Sequence, residues 1–98
     1  MILVRDIFQL KFGKAKEAKV LAKELAELQK KHSYSVARLL TDLTGPYYTL
    51  VMERTFPNLG EFEQALKMTL GTKEFGKVYQ KIVPLIESGS REIFTIVE

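Results

Sequence analysis

The sequence predicts an α+β fold: a ferredoxin-like βαββαβ unit whose four-stranded antiparallel sheet carries its helices on one face. Three observations lead there. Stretches rich in β-branched and aromatic residues occur four times, near residues 2–11, 33–43, 46–55 and 90–98. The apolar spacing changes to a helical period after the first and after the third. The second and third are joined only by Thr44-Gly45-Pro46, so they form a hairpin. In this topology the first and third strands are the central pair.

Ile2–Lys11 alternates poorly, because Arg5 and Asp6 interrupt a run of Ile, Leu, Val and Phe. Gly13 ends it. From Lys14 to Lys31, Ala18, Leu21, Ala22, Leu25 and Leu28 form one apolar stripe, and Lys and Glu fill the other side. Ala, Leu, Lys and Glu are strong helix formers. Glu27 and Lys31 make a favourable i,i+4 pair, and Lys30 and Lys31 suit the negative end of the helix dipole.

Ser33–Leu43 reads as a long, mixed edge strand. Tyr47–Thr55, bounded by Pro46 and Pro57, reads as a central one. Its Tyr48, Leu50 and Met52 share one face; Tyr47, Thr49, Val51 and Glu53 share the other. Leu50 and Met52 are the natural match for the helical stripes, which leaves the Val51 face outward.

Asn58, with Glu61 three residues on, has the pattern of a capping box. Leu59, Phe62, Ala65, Leu66 and Thr69 continue as a helical face. Gly71-Thr72 breaks it, and Thr72 caps a second segment through Phe75, Val78, Tyr79, Ile82, Val83 and Ile86. Pro84 removes the N–H that would bond Gln80, so a kink or an end is expected near Val83. Ser88-Gly89 reads as a turn, and Arg91–Glu98 as the last strand.

Composition bounds the function. A single domain of 98 residues buries only about 60–65% of its unfolded surface and gains from association. Net charge is +3, but the lysines between Lys11 and Lys31 alternate with Glu17, Glu24 and Glu27. That is a solvated helix face, not a one-signed nucleic-acid patch. With no Cys there is no disulfide and no thiolate metal site. No apolar run approaches the roughly 20 residues of a membrane span. Met1–Asp6 is charged too soon for a signal peptide. The expectation is a cytoplasmic protein with no membrane or nucleic-acid partner, no metal and no cofactor.

Both parities of the first, third and last strands are largely apolar, although helices cover one face only. A second copy packing sheet to sheet is the simplest cover, since symmetric dimers are the commonest oligomers. A pocket between sheet and partner would then draw on the charges inside the strand patterns, Arg5, Arg38, Glu53 and Arg91. Arg5 or Arg38 would hold an acidic ligand and Glu53 would serve as acid or base, with Tyr47 as a hydroxyl and an aromatic wall. The other reading of the charges is structural ion pairs within the dimer. His32 has no Ser-His-Asp or metal-ligand spacing around it. Lys11, Lys14 and Lys16 flank Gly13 at a helix start, where an anion or plain solvation is the choice.

Three stretches make the chain resemble the dimeric α/β-barrel superfamily, nearest its NIPSNAP-like and antibiotic-biosynthesis-monooxygenase-like members. They are Phe8-Gln-Leu-Lys-Phe-Gly-Lys-Ala, Leu43-Thr-Gly-Pro-Tyr-Tyr-Thr-Leu-Val-Met-Glu, and Phe62-Glu with Val83-Pro-Leu-Ile-Glu-Ser-Gly-Ser-Arg-Glu-Ile. The resemblance implies a dimeric barrel that binds a small molecule or is non-catalytic. Its alternative is a cofactor-independent monooxygenase acting on an aromatic or polyketide-like compound. Haem-degrading members resemble one another in an Asn, a Trp and a His. This chain has no Trp, and Asn58 and His32 are its only Asn and His, so haem chemistry is not expected. No catalytic residue carries over.

Overall fold

The computed structural model describes residues 1–31 and 38–98. His32 and Ser33–Ala37, with the first half of the expected second strand, lie outside the described residues. The elements run β1 (Ile2–Leu10), α1 (Ala15–Lys30), β2 (Arg38–Thr41), β3 (Thr49–Phe56), α2 (Leu59–Leu70), α3 (Lys73–Ile82), a single 3-10 turn (Val83–Leu85) and β4 (Ile86–Thr95). The sheet is antiparallel in the order β2-β3-β1-β4, with β1 and β3 at its centre as the βαββαβ order requires. Among the described residues no helix is long and apolar enough to cross a membrane.

One face of the sheet meets the helices. Leu10, Leu50 and Met52 pack with Ala18, Ala22 and Leu25 of α1 and with Phe75, Val78 and Ile82 of α3. A second cluster joins Val4 and Phe56 to Phe62 and Ala65 of α2. Phe56, Leu50 and Val4 are the largest fully buried side chains. Each contributes about 1.5–3 kcal/mol of apolar burial. The parity read from the central strand therefore holds: Leu50 and Met52 face the helices, and Val51 and Glu53 face away.

The break in the second helical region is built as its residues dictate. Asn58 Oδ1 accepts the N–H of Glu61 at 2.9 Å, and Thr72 Oγ1 accepts that of Phe75 at 3.3 Å. Pro84 ends α3 rather than kinking it. The helix stops at Ile82, and the chain makes one 3-10 turn before turning extended at Ile86.

The structure departs from the sequence reading at several points, three of which have a clear local reason. Tyr47 and Tyr48 are not in the central strand. Tyr48 takes φ 59°, a left-handed backbone that ends any strand. The loop is held there by Asp42 Oδ1, which accepts the Thr49 N–H at 2.9 Å, and by Thr49 Oγ1, which donates to Pro46 O at 2.9 Å. Ser88-Gly89 is not a turn: β4 runs through it and ends at Thr95 instead of Glu98. Gly89 lies beside Phe8, whose ring occupies the space a Cβ would need (2.9 Å to Cδ1). Finally, the pairing shifts between Gln9 and Leu10, which oppose Ser88 and Ile86, so Glu87 is the extra residue of a bulge.

Candidate functional site

Arg5, Arg38 and Glu53 come together on the face of the sheet turned away from the helices. Glu53 pairs in register with Arg38 on β2 and with Arg5 on β1. Arg38 donates to Glu53 Oε1 through Nε at 3.0 Å and through Nη2. Arg5 Nε lies 3.1 Å from Glu53 Oε2, an ionic contact not aligned as a hydrogen bond. Arg5 Nη1 reaches Glu92 of β4 at 3.8 Å. The four charges form one row of alternating sign across all four strands. Tyr47 is not part of it; it stands exposed in the β2–β3 loop. Around the row lie Leu3, Ile7, Leu40, Val51 and Phe94, with no element of the described residues above them. Val51 is buried nonetheless, flanked by its register neighbours Ile7 and Leu40.

The cavity is on the other face. It measures about 460 Å³ and opens between β1, β3 and β4 on one side and the three helices on the other. That size falls within the range of small-molecule sites. Most of its wall is apolar, including Phe8, Leu25, Met52, Phe75 and Ile82.

Three charges sit in this wall. Asp6 is buried, and its two oxygens are divided: Oδ2 accepts from Arg54 Nη2 at 2.8 Å, and Oδ1 from Arg91 Nε at 2.6 Å. Asp6 and Arg91 are register partners on β1 and β4. Arg54 is buried beneath the rings of Phe56 and Phe62, 5.8 and 5.7 Å from its guanidinium carbon. Burial pushes its pKa below the usual arginine value; Asp6 pulls it back up, and Arg91 adds a further downward push. Arg91 lies over the Phe62 ring at 5.2 Å, its side chain 43% exposed. Two arginines share one carboxylate, so the cluster keeps one surplus positive charge.

Gln29 completes the wall from the last turn of α1. It is buried, and its Oε1 has no hydrogen-bond partner among the described residues. Such an atom costs about 1–3 kcal/mol when left unmet. Lys11, Lys14 and Lys16, the other candidates, are all exposed at the start of α1.

Sequence reasoning noted Arg91 as a charge inside a strand but did not bring it together with Asp6, Arg54 and Gln29. A signal existed for two of them. Asp6 shares the parity of Val4 and Phe8, and Arg54 that of Leu50 and Met52, so both fall on the core side. Gln29 sits four residues after Leu25, on the apolar stripe of its helix.

Solved structures share this arrangement of elements. A NIPSNAP family protein from Agrobacterium tumefaciens superposes with a TM-score of 0.91 at 16% identity, over 99% of this chain and 93% of that one. An uncharacterized NIPSNAP domain protein from Burkholderia xenovorans gives 0.89 at 13% identity, over 99% and 95%. This chain has the NIPSNAP-type fold. An antibiotic biosynthesis monooxygenase shares it more loosely, at a TM-score of 0.77 and 19% identity over the whole of both chains. No family model and no curated protein matches the sequence. In this chain of NIPSNAP-type fold, the helices and the cavity lie on one side of the sheet and the charged row on the other.

Proposed function

We propose that the protein is a small-molecule-binding protein that acts as a homodimer, two copies meeting through the open faces of their sheets. The observation that carries the ligand reading is Gln29 Oε1, an acceptor with no partner among the described residues, in the wall of a largely apolar cavity of about 460 Å³. A bound molecule that donates to it relieves the cost of its burial. Leu3, Ile7, Val51 and Phe94 support the dimer, as apolar residues on a face that no described element covers. In that assembly Arg5, Arg38 and Glu53 lie between the sheets as paired charges. Tyr47 joins them only if the partner brings its loop over the row. The proposal places the protein in the cytoplasm. Mass spectrometry of the purified protein, native and then denatured, tests it. A dimer that releases a stoichiometric small molecule on denaturation supports the reading. A ligand-free monomer at micromolar concentration defeats it.

A second reading is supported by the fold shared with the antibiotic biosynthesis monooxygenase and by the aromatic residues Phe8, Phe75 and Tyr79 of the cavity wall. It is cofactor-independent oxygenation of an aromatic or polyketide-like compound. Oxygen uptake measured with a panel of polyhydroxylated aromatics decides it; no uptake above the protein-free rate removes the reading.

A further inference from the structure

We infer that the cavity selects an anionic amphiphile: an aromatic body, one acidic group held by Arg91, and a hydroxyl or N–H that donates to Gln29. This deepens the ligand-binding reading and rests on it. The charge preference follows from the count of groups in the wall. Among the described residues Asp6 is the only carboxylate there, and both its oxygens are already committed. Arg54 is enclosed, but Arg91 uses only Nε on Asp6 and leaves its half-exposed outer edge at the wall. Arg91 lines the cavity and bonds Asp6 through Nε alone, and a guanidinium so placed is matched by a carboxylate or sulfonate, which it can bind in bidentate fashion. A cationic ligand would meet the surplus positive charge instead. The aromatic body follows from the rest of the wall, where Phe8, Phe75 and Tyr79 stand among aliphatic residues. The donor follows from Gln29 Oε1, which only a donor can satisfy.

Two fluorescent probes separate these elements. 1-Anilinonaphthalene-8-sulfonate carries the anion, the aromatic body and an N–H. N-phenyl-1-naphthylamine has the same body and N–H without the anion. Titration of the wild-type protein should give saturable binding of both, the sulfonate at least 10-fold tighter. Arg91→Met should erase that preference and leave the neutral probe unchanged, while Arg91→Lys recovers part of it. Gln29→Leu should weaken both probes about 5-fold, the worth of one hydrogen bond. Far-UV circular dichroism confirms that each variant is folded. Equal affinity of the two probes for wild-type protein, or parallel weakening of both by Arg91→Met, overturns the charge selection. If binding of the neutral probe still depends on Gln29, the broader ligand reading stands without it. Saturable binding of neither probe overturns both.

Discussion

Gly89 and Phe8 oppose each other across β4 and β1 so closely that a methyl group on Gly89 would lie 2.9 Å from Phe8 Cδ1. Gly89→Ala must push the Phe8 ring, and the ring forms part of the cavity wall. Overpacking of this kind costs about 1–3 kcal/mol, and the better strand propensity of alanine returns about 0.5–1. The expected outcome is a net loss of up to about 2.5 kcal/mol by urea unfolding. Probe affinity should fall as the ring is displaced. An alanine variant as stable as wild type would show that Phe8 has a free alternative rotamer.

Asp6 and Arg54 form the buried pair on the helix side. Removing only the carboxylate, as in Asp6→Ala, leaves the Arg54 charge enclosed and should cost about 3–5 kcal/mol. The double variant Asp6→Leu with Arg54→Met, which removes both charges, should be the more stable of the two. Arg91→Met acts at a half-exposed position and should cost about 1 kcal/mol or less. Chemical denaturation of the three proteins checks the order.

Val51 stands at the middle of the open face. Val51→Lys should place an unpaired charge in the proposed interface at a cost of several kcal/mol. Light scattering is expected to show loss of the dimer, while far-UV circular dichroism keeps its mixed helix and strand signal. A lysine variant that remains dimeric would move the interface elsewhere.

Pro84 occupies the 3-10 turn that separates α3 from β4. Its ring restricts the unfolded chain, so Pro84→Ala should lower stability by about 0.4–1 kcal/mol and leave the fold intact. A thermal melt suffices. A larger loss would mean that the proline packs against structure as well as ending the helix.

Legibility in the sequence followed the range of the forces involved. The caps at Asn58 and Thr72 and the end of α3 near Pro84 depend on neighbours within four residues, and each was readable. Gly89 was not, because its partner Phe8 is far away in sequence and belongs to another strand. Read locally, Ser-Gly means a turn. Tyr47-Tyr48 misled for a similar reason: aromatic residues favour strands, but Asp42 and Pro46 hold this pair in a loop. The row of Arg5, Arg38 and Glu53 was visible as charges inside strands, and the parity of Val51 placed it outward. The cavity was hidden because it depends on how α1, α2 and α3 stand over the sheet, which no single periodicity encodes.

The row of alternating charge also bears on how β2 is aligned, beside the Asp42–Thr49 hydrogen bonds of its hairpin. Among the described residues β2 has four positions, and its two apolar ones, Leu39 and Leu40, are the same residue on opposite faces. A slip of one position would exchange one leucine for the other at little hydrophobic cost, so apolar patterning cannot choose between the alignments. Arg38 can. Only in the observed register does it stand opposite Glu53; a shift by one turns it toward the helices, and a shift by two sets it opposite Val51 or Thr55. One exposed arginine thus serves as the index mark by which the edge of the sheet is threaded.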